Sequence, residues 1–209
     1  MFAPGAGRFL APPAAVALVL AILLLVRVSP PSAPYLLGLL VLAAALTVFF
    51  AVFFRDPERA PGAGVVSAAD GRVRAVVREG DLWRISVFMN VTNVHVNRFP
   101  LDGRVDAIST EGAGHRPAYR PDAGHNVRRH YRLATSLGPV EVVQMTGILA
   151  RRLVSFVSVG STGHAAERLG MILLGSRVDV LLPAARVAPA VSVGDTVHAG
   201  TSTIARELP

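Results

Sequence analysis

Two apolar runs open the chain and constrain it more than any other feature. Phe9 to Val26 carries no charged residue, and Tyr35 to Phe54 is interrupted only by Gly38 and Thr47. Arg27 and the break "VSPPSAP" separate them. Crossing a hydrocarbon core takes about 20 apolar residues in a helix, so the second run reads as a membrane-spanning helix. The first opens on Pro12-Pro13 and is the weaker of the two. A single early arginine, Arg8, before an apolar stretch also fits a secretory signal. A second, longer run following almost at once favours a helical hairpin. Arg8 precedes the hairpin and Arg55 and Arg59 follow it. The positive-inside rule then places both ends, and everything downstream, on the cytoplasmic side of the cell (inner) membrane. Residues 1–55 are the expected anchor and 56–63, "DPERAPGA", a short linker.

Residues 64–209 change character. Short valine-rich runs alternate with turn signals: "GVVSAADGRVRAVV", "LWRISVFM", "GRVDAI", "PVEVVQM" and "RLVSFVSV". Alternation with period two argues for strands, and Asp70-Gly71 and Asp102-Gly103 for tight turns. Residues 111–130, rich in glycine and proline, read as a long loop. "SVGSTGHA" (158–165) and "SVGDTVHA" (192–199) differ only at Ser161/Asp195 and Gly163/Val197. The second copy resembles the β-turn-β elements of lipoyl and biotinyl carrier domains, which pack two similar halves into a flattened barrel. The expected fold is therefore mostly β, a flattened barrel or sandwich with lipoyl-like hairpins, preceded by the helical pair.

Residue usage removes several chemistries. There is no cysteine, and all 21 basic residues are arginine. Without lysine there is no Schiff-base lysine, no covalent anchor for pyridoxal phosphate, and no carrier or P-loop lysine. A net charge of +7 suits anionic phospholipid headgroups. With only 6% aromatic residues and no binding signature, nucleic acid is not an expected partner. His115, His125 and His130 match no metal-ligand spacing, so no metal is expected.

One short step carries distinctive chemistry. In "LGMILLGSRVDVLLP", Gly175-Ser176 interrupts two β-like runs. Taken alone, most such pairs are turns. Alternatively, the serine hydroxyl attacks the unhindered glycine carbonyl, the amide becomes an ester, and elimination followed by hydrolysis leaves a pyruvoyl ketone. The context favours the second reading. "FFRDPER" after an apolar run, "SAADGRV", "MNVTNVHVNRFP", "ILARRLV", "ERLGMILLGSRVDVLLP" and "VSVGDTVHAG" occur in that order. Together they resemble the short, membrane-anchored form of the phosphatidylserine decarboxylases.

That resemblance implies a pyruvoyl-dependent lyase converting phosphatidylserine to phosphatidylethanolamine and carbon dioxide. Cleavage at Gly175-Ser176 would give chains 1–175 and 176–209, held as a heterodimer; further assembly is left open. Ser176 would supply the cofactor, a ketone that captures the substrate amine as an imine, which fits a chain with no lysine for pyridoxal phosphate. The resemblance also implies that Asp70 orients a histidine that activates the serine. Long bacterial forms have two histidines three residues apart; here the first aligns with His95 and the second with Arg98. His95 is thus the acid/base candidate, and the Asp-His-Ser relay does not transfer intact. Arg151-Arg152 and Arg128-Arg129 are candidates for the lipid phosphodiester, since guanidinium matches phosphate geometry. The family's Gly-Asp step upstream is Gly160-Ser161 here. His164 and His198 fall at matching turn positions of the repeat. The alternative is a non-enzymatic, membrane-anchored, lipoyl-like adaptor that binds another protein.

Overall fold

The computed structural model describes residues 1–26, 32–114, 125–147, 152–173 and 176–209, and of Ser176 the backbone alone. The chain divides into two compact units, Met1–Pro57 and Glu58–Pro209. The first holds α1 (Gly7–Leu25) and α2 (Ala33–Phe53), of 19 and 21 residues. Both are long and apolar enough to cross a membrane. α1 continues through Pro12 and Pro13, which lie within its first two turns. Side chains such as Leu18, Val19, Leu37 and Val41 are exposed, which suits a lipid environment. Phe9 stacks on Phe54 at 4.8 Å, pinning the start of α1 to the exit of α2. Ala3 N donates to Phe54 O and Asp56 N to Met1 O, so the extreme N-terminus is tied back too.

The second unit is built of strands: β1 (Val65–Val66), β2 (Gly71–Glu79), β3 (Leu82–Met89), β4 (Val96–Arg98), β5 (Gly103–Glu111), β6 (Arg128–Thr135), β7 (Gly138–Thr146), β8 (Arg152–Ser155), β9 (Thr162–Gly163), β10 (Arg168–Leu173), β11 (Ser176–Pro183), β12 (Val187–Pro189), β13 (Thr196–Val197) and β14 (Thr203–Glu207). They form an eight-stranded sheet, β13-β2-β3-β11-β7-β6-β5-β9, and two three-stranded sheets, β1-β14-β12 and β4-β10-β8. The mostly-β expectation holds, with sheets packed sandwich-fashion and no closed barrel. Inward residues follow the expected alternation. Val178, Val180 and Leu182 of β11 meet Ile85, Val87 and Met89 of β3 and Val140 and Val142 of β7 in one core. The loop expected over 111–130 is shorter than the composition suggested: β5 reaches Glu111 and β6 starts at Arg128. His130 therefore lies on a strand.

The sheets are related by an internal duplication far longer than the eight-residue repeat. β13-β2-β3-β11 mirrors β9-β5-β6-β7, and β1-β14-β12 mirrors β4-β10-β8. "DGRV" opens both β2 and β5. Val197 pairs with Gly71 as Gly163 pairs with Gly103. The register shifts after Val73 and after Val105, the same place in each copy. Val66 N donates to Pro100 O, and Arg98 N to Ala68 O, a reciprocal crossing between the copies. Each copy also carries an aspartate staple. Asp70 Oδ1 accepts from Ala199 N and Asp102 Oδ1 from Ala165 N, both at 2.8 Å. The facing histidines are His198, 3.5 Å from Asp70, and His164, 3.1 Å from Asp102.

The copies differ in one connection. β6 passes into β7 through a tight turn in which Thr135 faces Gly138. At the matching point β3 ends at Met89, the whole second copy intervenes, and the chain returns at Ser176, which faces Met89. Ser176 thus occupies the position that Gly138 holds in a turn.

The second staple is exposed and its electrostatics are readable. The Asp102 carboxylate holds His164 above the usual imidazole range, and the Ala165 amide and His164 together hold Asp102 below the usual carboxylate range. The ion pair therefore favours the fold between the two folded-state values: its contribution is lost as pH falls through that of Asp102 and as pH rises through that of His164. We expect NMR titration to give His164 a midpoint above that of a free imidazole, and Asp102→Asn to bring it down.

Candidate active site

The segment of interest lies where the chain crosses from one sheet to another. β10 ends at Leu173 inside the β4-β10-β8 sheet, and β11 begins at Ser176 in the middle of the large sheet. Leu174 and Gly175 lie outside the described residues. Ser176 faces Met89 on one side and Thr146 on the other, and pairing with β3 continues to Pro183. Both edges of β11 are therefore hydrogen-bonded along the strand. This ladder does not require a covalent bond back to β10.

His95 is brought to the same place by β4. Val96 pairs with Met171, and Ile172 N donates to His95 O at 3.2 Å, so His95 stands beside the last residues before the crossing. It is fully buried. Its Nδ1 lies 2.9 Å from Asn93 O. A carbonyl oxygen can only accept, so Nδ1 carries the hydrogen, and in the neutral ring Nε2 is the nitrogen able to take up a proton.

Asp70 reaches the same end of the sheet by register. Arg72 pairs with Phe88 and Ser176 with Met89, so Asp70 precedes β2 at the end where β11 begins. β2 and β11 flank β3, which puts their backbones two strand spacings apart, roughly 10 Å. The Asp70 carboxylate is buried and engaged by Arg59 Nη2 at 2.9 Å, Ala199 N and His198. Asp70 and His95 thus share the Ser176 end of the fold but have different partners. Arg98 is buried, and its Nη1 donates to Ala166 O at 2.6 Å. A guanidinium stays charged at any working pH and cannot act as a base.

The arginine candidates separate. Arg152 is exposed on β8 opposite Leu173, next to the crossing. Arg151 lies outside the described residues. Arg129 donates to Thr110 Oγ1 and Leu153 O, and Arg128 pairs with Glu111, so both are already engaged by protein. Of the loop histidines, His115 lies outside the described residues, and His130 bridges Glu141 and Glu111. Among the described residues no group of three His, Asp or Glu side chains is arranged to hold a metal ion.

A buried polar chain went unread in the sequence. Tyr131 Oη donates to Gln144 Oε1 at 3.2 Å, Gln144 Nε2 to Asn97 Oδ1 at 2.8 Å, and Asn97 Nδ2 approaches Met89 Sδ. All four residues are fully buried. Burial pushes the Tyr131 phenol up, keeping it a donor. The chain underlies Met89, the backbone partner of Ser176. The available signal was Gln144, a polar residue in phase with inward-facing Val140 and Val142. Gly170 makes room for the chain: a Cβ there would lie 2.6 Å from Val154 O and 2.9 Å from both Gln144 Nε2 and Tyr131 Oη.

The family described as phosphatidylserine decarboxylase matches residues 46–205. A phosphatidylserine decarboxylase proenzyme of Thermobifida fusca is 44% identical, covering 81% of this chain and 79% of its own. A putative archaetidylserine decarboxylase proenzyme of Halobacterium salinarum is 45% identical, covering 79% and 85%. A phosphatidylserine decarboxylase proenzyme of Streptomyces coelicolor is 41% identical, covering 79% and 76%. No solved structure matches the chain.

Two substitutions test the buried chain. Gly170→Ala forces Val154 and the polar side chains apart and should cost about 1–3 kcal/mol, as overpacking does. Asn97→Ala strands the Gln144 amide and should cost about 1–3 kcal/mol. Denaturant unfolding measures both, and an unchanged midpoint in either would contradict the packing described.

Proposed function

The chain belongs to the phosphatidylserine decarboxylase family, and from that premise we propose that it decarboxylates a serine phospholipid using a ketone made from its own Ser176. The observation that carries this reading is the position of Ser176: first residue of a strand paired on both sides, at a crossing beside a buried histidine. A strand so held keeps its place after the bond before it is cut, so the site suits a prosthetic group formed in place.

Processing is the work of the chain's own residues. The Ser176 hydroxyl attacks the Gly175 carbonyl carbon, the peptide C–N bond breaks, and an ester replaces the amide. A base removes the Cα proton of residue 176, the Cβ–O bond breaks, and a carboxylate leaves as the new end of chain 1–175. The remaining dehydroalanine takes up water and releases ammonia, which leaves the ketone at the head of chain 176–209. His95 is the proton carrier we assign to this end, with Nδ1 fixed on Asn93 O and Nε2 exchanging the proton. Once formed, the pyruvoyl ketone would supply an electron sink for decarboxylation of a lipid held through its amino group. His95 Nε2 would hold the proton for the carbon that loses its carboxylate.

The relatives are named for phosphatidylserine and for archaetidylserine, lipids that share the serine headgroup. The family name favours phosphatidylserine, with phosphatidylethanolamine as product. Exposed Arg152, beside the crossing, is our candidate for the phosphodiester, together with Arg151. The two apolar helices support a membrane-anchored enzyme, and Arg8 and Arg55 support a cytoplasmic catalytic unit. Chains 1–175 and 176–209 would remain together as a heterodimer.

On a denaturing gel the purified protein should run as two pieces, the smaller matching residues 176–209 with a blocked amino terminus and the mass of a ketone. Ser176→Ala should remain one chain and release no carbon dioxide from phosphatidylserine vesicles. A folded, uncut wild-type chain would instead favour the adaptor. His95→Gln should slow processing and, measured per cut chain, also lower the decarboxylation rate, by about 10²–10⁴, the usual worth of an acid/base group.

A further inference from the structure

The internal duplication supplies its own control for one residue. Both copies carry the staple of an aspartate that accepts a backbone amide and faces a histidine. In the copy remote from Ser176, Asp102 and His164 are 70% and 78% exposed, and the carboxylate holds only Ala165 N and His164. In the copy at the Ser176 end, Asp70 is 5% exposed and has a further partner, Arg59, itself 12% exposed, at 2.9 Å. The staple alone requires neither burial nor an arginine, as the remote copy demonstrates. Both have been added at the end where the chain crosses at Ser176.

We propose that Arg59 is a positioning residue for cleavage of the Gly175-Ser176 bond, acting through Asp70; the inference rests on the self-cleaving reading above. Asp70 fixes Ala199 through its amide. The next residue, Gly200, adopts φ +78 and packs so closely that a Cβ would lie 3.0 Å from Ala166 Cα and 3.2 Å from Arg98 Cδ. Arg98 in turn donates to Ala166 O. Arg98 ends β4, the strand that begins one residue after His95. Arg59, Asp70, Ala199, Gly200 and Arg98 therefore form a continuous brace behind the strand that sets His95 against β10. Without Arg59, a buried carboxylate is left with less compensating charge, and such a group moves toward water or draws water in. The brace then loosens at its anchored end.

The test follows the uncut fraction of freshly made full-length chain over time on denaturing gels. Arg59→Gln should lengthen the processing half-time about tenfold or more, equivalent to a modest rise in barrier. Arg59→Lys keeps the charge and a donor to the single oxygen contacted, and should return processing to within about threefold of wild type. Asp102→Asn, at the matching staple, should process at the wild-type rate. The Arg59→Gln/Asp70→Asn pair replaces the ion pair with neutral groups of similar shape; it should unfold cooperatively yet stay largely uncut. Processing of Arg59→Gln or of the double variant at the wild-type rate overturns the proposal. So does a failure to process that appears only with loss of cooperative unfolding in both, since Arg59 would then be a fold clasp and nothing more. Slowing by Asp102→Asn as large as that by Arg59→Gln also overturns it. If the wild-type chain itself stays uncut, the self-cleaving reading fails before Arg59 is tested.

Discussion

The pairing of β11 with both β3 and β7 is the interaction on which the rest of the second unit depends. Each backbone bond along such a ladder contributes little alone, about 0.5–1.5 kcal/mol net, but a strand bonded on both edges with an apolar inward face is held at every residue. Val178, Val180 and Leu182 supply that face. The consequence for chemistry is direct. The residue at the head of β11 is located by its neighbours in space, Met89 and Thr146, and not by the residue before it in sequence. A bond can be broken at that point with the reacting position still fixed.

The duplication explains why the chain has such a point. In one copy a hairpin turn joins β6 to β7, and glycine at the turn relieves the positive φ of Gly138. In the other copy the same join is opened and a whole copy is threaded through it. After Met89 the chain turns, with Asn93 N donating to Asn90 O at 2.9 Å, and runs on into the inserted copy instead of folding straight back beside β3. Ser176 is thus a seam in the topology. His95 belongs to the inserted copy and Asp70 to the interrupted one, and the reciprocal bonds Arg98 N to Ala68 O and Val66 N to Pro100 O draw both to the seam.

Buried polar groups mark the same region. The Tyr131-Gln144-Asn97 chain and the Arg59-Asp70 pair are costly to desolvate and are tolerated because each member has a partner. The remote copy buries less charge at the corresponding staple, where Asp102 and His164 stand in solvent. Polarity in the interior is thus concentrated where the chain crosses between sheets, and it fixes side chains that apolar packing alone would leave free to slide.

Much of this was legible along the chain. The apolar runs determined the two helices, because length and uncharged composition suffice for that. Alternation set most strand positions, and β3 runs over Leu82–Met89 as its pattern required. The ordered motifs identified the family and the Gly-Ser step. Partnership was not legible. Asp70 precedes a turn-like Asp-Gly whether it faces a histidine or an arginine, and only the fold decided on Arg59, Ala199 and His198. The eight-residue repeat hinted at two halves, but the inserted copy, the seam at Ser176 and the polar chain under Met89 join residues far apart in sequence. Local pattern reports which face of a strand is apolar. Which strand lies beside it is settled by long-range pairing, and that exists only once the sheets have formed.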